Sequence, residues 1–269
     1  MIKEISSKDN LIIKKIKQLS LKKYREKYNQ FIMEGLNLIE EAIKNEADIN
    51  LVIYKDSFLN IPYQEELIDF LDEKNIPVYH VPDELFEYIS DTENPQGIIS
   101  VVMKPVFDFS EIFNKPYSNV LLIDKLQDPG NMGTILRTAD ASGIDGVIVM
   151  KGSVDLYLSK TVRSAAGSVF RVPILIMDDA YEAISLLRKY NKKILATSPR
   201  AKNCYYDVNI SGDTALVIGN EANGVSEEFM SNSDYKIKIP MLRDTESSNA
   251  SIAAAVIMYE MVRQRATLK

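Results

Sequence analysis

The pattern that most constrains this chain is an alternation of short apolar runs with segments of helical period, without an internal repeat. Val120-Leu121-Leu122-Ile123, Gly146-Val147-Ile148-Val149-Met150 and Ala215-Leu216-Val217-Ile218 are continuous apolar runs, as expected of strands buried on both faces. Residues 193–197 and 235–239 read as further strands, and residues 132–141, 157–166, 180–190 and 249–264 as helices. This alternation of strand-like and helix-period segments argues for an α/β fold. The first half has a looser form of the same rhythm. Helices are expected over 10–19, 36–43 and 64–71, and strands over 31–33, 51–54, 78–81 and 97–103. Pro105, Pro116 and scattered charges interrupt the rhythm between the halves. The expected organisation is a domain over 1–104, a linker over 105–117 and a domain over 118–269.

Charge adds a partner class. The 269 residues carry 32 basic and 38 acidic side chains, for a net charge of -6. Residues 1–27 hold nine of the basic ones (Lys3, Lys8, Lys14, Lys15, Lys17, Lys22, Lys23, Arg25, Lys27) against Glu4, Asp9 and Glu26, a local balance of +6. A basic arm on an acidic body is an electrostatic footprint for a polyanion, and the total conceals it. The bland alternative is a solvated, lysine-rich helix face. One His (His80) and one Cys (Cys204) cannot build an internal disulfide or a structural zinc site, and no metal is expected. His80 lies inside a strand-like run and reads as structural, and Cys204 as an idle thiol. No apolar stretch approaches the ~20 residues of a membrane span, and no signal-peptide core opens the sequence. A cytoplasmic location is expected.

Glycine placement narrows the chemistry. None of the 11 glycines forms a G-x-G pair, which removes the dinucleotide-binding fingerprint. Gly219 and Gly224 have phosphate-loop spacing, but Val225 stands where that motif needs lysine. Polar residues concentrate instead after three strands. Asp124 to Asp140 runs through Asp128-Pro129-Gly130-Asn131 into a helix carrying Arg137, with Asn131 the expected N-cap. Ile218 leads into Gly219-Asn220-Glu221-Ala222-Asn223-Gly224. Ile237 leads through Pro240-Met241 and Glu246-Ser247-Ser248-Asn249 into the last helix. Ligands of an open α/β sheet bind beyond the carboxyl ends of its strands, so three such loops imply one composite site.

Together these segments resemble the three motifs of the SpoU/TrmH group of RNA 2′-O-ribose methyltransferases, in the SPOUT superfamily. The first matches through Asp128-Pro129, Asn131, Gly133 and Arg137-Thr138-Ala139. The second matches through Gly219-Asn220-Glu221 and Gly224, and the third through Ile239-Pro240-Met241, Glu246-Ser247, Asn249, Ser251 and Ala253. Residues 31–35, 41–42 and 96–98 are similar, more loosely, to the small L30e-like α/β domain that binds substrate in this group.

The resemblance implies an α/β protein whose C-terminal SPOUT domain has a mostly parallel sheet and a deep trefoil knot, and a homodimer with its active site at the subunit interface. It also implies S-adenosylmethionine as methyl donor. The implied activity is ribose 2′-O-methylation of structured RNA, with 23S ribosomal RNA the first choice and transfer RNA the second. A catalytically weak RNA-binding protein that keeps the fold is the remaining alternative. Asn131, Arg137, Glu221, Ser247 and Asn249 would form the catalytic set. Thr197, Gly219, Ile239, Met241, Ser248 and Asn249 would bind the cofactor, and Lys14, Lys15, Lys22, Lys23 and Arg25 the RNA.

A guanidinium releases its proton only above about pH 12 and is a poor general base, so Arg137 is expected to bind the phosphate beside the target ribose. The alternative for Arg137 is a surface ion pair with Asp140. Glu221 is expected to orient Arg137 or to meet the cofactor region. For Ile239 and Met241 the alternative is simple burial in a strand. Ser248 departs from the group, which usually has a large aliphatic residue there, and removes apolar contact near the adenine. Lys160, Arg163 and Arg171 are further candidate RNA contacts, and Tyr205-Tyr206 a candidate stacking pair.

Overall fold

In the computed structural model, residues 2–60, 62–243 and 249–267 are described. They form two compact units: Met1–Pro105 with Asp155–Phe170, and Val106–Val154 with Arg171–Lys269.

The first unit starts with β1 (Lys3–Glu4), α1 (Leu11–Leu19), α2 (Lys22–Tyr28) and β2 (Gln30–Glu34). It continues through α3 (Leu36–Lys44), β3 (Ile49–Lys55), α4 (Pro62–Glu73), β4 (Val78–Val81), α5 (Asp83–Ile89) and β5 (Ile98–Met103). The sheet order is β1-β4-β3-β5-β2. β5 runs antiparallel to both neighbours, and the other pairs are parallel. Asn10 caps α1 by accepting the Ile12 N–H at 2.8 Å, so the apolar stripe Ile13, Ile16 and Leu19 is laid onto the sheet. Ile32, Leu51, Ile53, Ile99 and Val101 meet it from the strands, with Leu85, Phe86 and Ile89 of α5.

The second unit opens with α6 (Phe109–Asn114), β6 (Val120–Ile123), α7 (Pro129–Ala141) and β7 (Gly146–Met150). The chain then contributes α8 (Ser159–Ala165) to the first unit before it resumes with β8 (Ile174–Met177), α9 (Ala180–Lys189), β9 (Lys193–Thr197) and β10 (Asn203–Cys204). β11 (Thr214–Ile218), α10 (Glu227–Ser231), β12 (Tyr235–Lys238) and α11 (Ala250–Ala266) complete it. The sheet is parallel throughout, in the order β10-β12-β9-β11-β6-β7-β8. β6 therefore has β7 on one side and the much later β11 on the other, which makes their boundary a topological switch point. α7 and α11 run side by side in the same direction. Asn249 bonds Asn131 at their starts, and Arg265 reaches the Gly143 carbonyl just beyond the end of α7.

Two expectations change. The span 105–117 is no extended linker: Phe109, Ile112 and Phe113, spaced i, i+3, i+4, form α6 and pack into the second core. There Ile112 and Phe109 press on Gly146, where a Cβ would lie 3.1 Å from Ile112. Residues 155–170 follow the second unit's strands in sequence but pack with the first. Tyr157 and Phe170 stack beside Phe31, with centroids at 4.9 and 6.0 Å. Tyr157 is buried and its pKa is pushed up to about 12, chiefly by desolvation.

Candidate functional site

The loops after β6 and β11 and the start of α11 meet at the switch point through one chain of hydrogen bonds. Glu221 accepts the backbone N–H of Gln127 and of Asp128, each at 3.0 Å, and the Asn131 amide at 3.1 Å. Asn131 Oδ1 in turn accepts the Asn249 amide at 2.9 Å. Asn249 Oδ1 caps α11 by accepting Ser251 N at 2.8 Å and Ile252 N at 3.3 Å. The polarity is forced at both ends. An ionised carboxylate only accepts, and a helix start only donates, so each amide has one orientation. Burial pulls the Glu221 carboxyl upward, but the bonds from Asn131, Gln127 and Asp128 outweigh it and hold the pKa below the usual 4.5.

Asp128, not Asn131, caps α7: its side chain accepts Asn131 N at 2.7 Å. That frees the Asn131 side chain for the loops. Glu221 is spent on the first loop and bonds no guanidinium, against the expectation that it orients Arg137. Arg137 is exposed on α7, and among the described residues nothing pairs with it. Asp140, the alternative partner, is taken by Arg171 at 2.8 Å, so Arg171 is not an open RNA contact.

Gly219 shows why glycine is needed at the end of β11. The loop folds back until a Cβ there would sit 2.1 Å from the Gly224 carbonyl carbon. Asn220 and Gly224 exchange backbone bonds at 2.9 and 2.8 Å, and the Asn220 amide ties the loop to the Lys125 carbonyl at 2.9 Å. Asp124, 2 % exposed, grips the far end of the same loop by accepting Ser226 N at 2.7 Å. The sequence places Asp124 and Asn220 in the strand-end loops without a role for either. The available signal was a carboxylate placed directly behind a four-residue buried strand.

The expected cofactor residues share one edge. Thr197 ends β9 and pairs in register with Ile237 of β12, while β11, next to β9 on its other side, leads into Gly219. Thr197 donates to the Val217 carbonyl at 2.9 Å. Ile239 is half-buried and Met241 is 40 % exposed, so neither is a plain core residue and both offer apolar surface beyond the strand ends. Ser247 and Ser248 lie outside the described residues.

The expected RNA-binding cations separate. Arg25 is 4 % exposed, bonded to Asp155 at 2.6 Å and to the Leu19 and Ser20 carbonyls at 2.7 Å each. It is a packing residue and leaves the RNA set, because four of its five guanidinium N–H groups are used inside the unit. Lys14 pairs with Asp9 at 2.8 Å and Lys22 with Glu26 at 3.8 Å. Lys15 and Lys23 have no carboxylate partner among the described residues. His80 bonds Asp56 and stacks on Tyr54 at 5.2 Å, a structural setting. Tyr205 and Tyr206 pack edge to face at 5.0 Å.

Comparison with known proteins agrees with this arrangement. Residues 118–259 match the family model of the SpoU rRNA Methylase family, and residues 10–100 match the MRM3-like substrate binding domain. A 23S rRNA (guanosine(2553)-2′-O)-methyltransferase of Bacillus subtilis is 34% identical over 97% of this chain and 99% of its own length. The structure of an AdoMet-bound rRNA methyltransferase from Sinorhizobium meliloti aligns at TM-score 0.86 with 28% identity, over 97% of this chain and 98% of that one. The SpoU methyltransferase AviRb from Streptomyces viridochromogenes aligns at TM-score 0.85 with 26% identity, over 97% and 99%.

Proposed function

Because the chain belongs to the SpoU rRNA Methylase family, an RNA 2′-O-ribose methyltransferase family that uses S-adenosylmethionine, we propose that its own substrate is 23S ribosomal RNA. The Glu221–Asn131–Asn249 chain carries the reading. It joins two loops and the start of the last helix at a switch point and leaves Arg137, on the same helix as Asn131, exposed and unpaired among the described residues.

The residues suit the cofactor. Gly219 lets the loop close over the end of β11, and Thr197, Ile239 and Met241 ring the neighbouring strand ends with apolar surface and backbone groups. Asn249, at the start of α11, completes that side. When bound, S-adenosylmethionine supplies a methyl group on a sulfonium centre. The protein must orient a ribose hydroxyl toward that methyl and accommodate its proton. Arg137 holds the adjacent phosphate and thereby orients the hydroxyl. Asn131 and Asn249 set the loop geometry. Glu221, with its three accepted bonds and depressed pKa, is a positioning residue and a weak base.

The knot of the group fits a last helix laid beside α7. A homodimer fits α11, whose residues 252–259 are apolar all round: Ala254, Ile257 and Met258 are buried while Ile252 is 59 % and Tyr259 53 % exposed. Among the described residues no helix is long and apolar enough to cross a membrane.

The test is to delete the gene and map ribose methylation across all stable RNAs, then restore it with the purified protein. Loss and recovery of one 23S position supports the reading. Loss at a transfer RNA position instead, or no loss, overturns it.

A further inference from the structure

Five lysines of the N-terminal arm, Lys8, Lys15, Lys17, Lys23 and Lys27, have no carboxylate partner among the described residues. All five ammonium groups lie over tyrosine rings. Lys8 and Lys17 sit 4.8 and 4.9 Å from the centre of the Tyr88 ring. Lys15 and Lys27 each sit 5.5 Å from that of Tyr28, and Lys23 lies 4.8 Å from that of Tyr24. Tyr24 and Tyr28 are themselves stacked, at 6.0 Å and 15°. Tyr24 and Tyr28 of α2 and Tyr88 of α5 thus flank α1 on either side, since Lys15 and Lys17 leave the helix on opposite sides of the buried Ile16, and together they make a basic, aromatic surface with Tyr88 42 % exposed. Lys17 also donates to the Tyr88 carbonyl at 2.9 Å, which holds α1 to the end of α5.

We propose that this α1–α2–α5 face is a binding track for single-stranded RNA, in which unpaired bases stack on the tyrosines and the displaced lysines take the phosphates. The choice of RNA as the polyanion rests on the methyltransferase reading above. The physical step is an exchange. An exposed cation–π contact is worth less than a base stacked on an aromatic ring, so a base displaces the lysine. The released ammonium then has the flanking phosphate within reach, and counterion release adds to the gain. A duplex hides its base faces and offers phosphates alone, so it forgoes the stacking part. The lysines selected by sequence alone include Lys14 and Lys22, which are occupied by Asp9 and Glu26. The rings mark the set that is available.

The experiment is fluorescence anisotropy of the full-length protein with a short single-stranded RNA, with an RNA duplex of equal length and with phosphatidylserine vesicles, across salt concentrations. The single strand should bind tightest. Tyr88→Leu should weaken it roughly tenfold with little change in salt slope, and Tyr88→Phe should retain it. The triple variant Lys8→Gln, Lys17→Gln, Lys23→Gln should flatten the log–log salt slope by about 2. Equal or tighter duplex binding, a neutral Tyr88→Leu, an unchanged slope or a preference for vesicles would each overturn the proposal. Calorimetry with S-adenosylmethionine separates the two readings: these RNA effects in a protein that binds no donor would support the track and defeat the methyl-transfer assignment.

Discussion

Asn131 gives its amide N–H to Glu221 at 3.1 Å and receives one from Asn249 at 2.9 Å, so a single side chain joins two loops and the last helix. Its two faces are chemically opposite, which sharpens what substitution should do. Asn131→Asp sets a second carboxylate against Glu221 and is expected to be at least as damaging as Asn131→Ala. Methyl transfer in single-turnover assays should fall by about 100-fold or more in both, since loop geometry is lost. An active Asn131→Asp would refute the assigned polarity.

Arg137 offers the complementary case. It is exposed and unpaired among the described residues, so Arg137→Ala should leave the melting temperature unchanged, within the effect of an ordinary surface change. The reaction should nevertheless be lost. Arg171→Ala, which removes the partner of Asp140, is expected to change stability slightly and RNA methylation little. Calorimetric melting beside a methyl-transfer assay distinguishes the pair.

Glu221 brings a pH dependence with a definite sign. Its pKa is lower in the folded protein than the usual 4.5, so its contribution to stability is complete above that value. The contribution disappears as pH falls through the depressed folded value. Glu221→Gln should therefore flatten the stability–pH curve on the acidic side and leave its shape near neutrality alone. Melting temperatures of both proteins through the acidic range test this.

Gly219→Ala places a methyl group 2.1 Å from the Gly224 carbonyl carbon, against backbone that cannot step aside cheaply. A loss of about 3 kcal/mol is expected, with donor binding weakened because the loop must open. A variant of native stability would mean that the loop is looser than its bonds imply. Denaturant midpoints and donor calorimetry give the two readouts.

Much of this fold is legible in the sequence. The apolar runs at 120–123, 146–150 and 215–218 fall in the strands β6, β7 and β11, because continuous apolar residues admit few other environments. The three loops were identifiable because their polar residues follow such strands. What escaped was decided in three dimensions. α6 was hidden by its flanking prolines, although Phe109, Ile112 and Phe113 had the right spacing. Arg25 looked like one more arm cation, and nothing near it in sequence announced Asp155, 130 residues away. The identity of the α7 cap turned on geometry, since Asp128 and Asn131 are both good caps and only one can begin the helix.

The loan of residues 155–170 to the first unit limits how this protein can be taken apart. A cut after Pro105 yields an N-terminal fragment without Asp155, Tyr157 and Phe170, so Arg25 keeps a buried charge without its counter-ion and Phe31 loses its covering rings. The complementary fragment would carry the same helix with its greasy side bare. Neither half is a portable module. Fusion partners, transplanted specificity domains and truncated screening fragments would have to respect three chain crossings, and a homologous swap succeeds only if α8 travels with the N-terminal unit it completes.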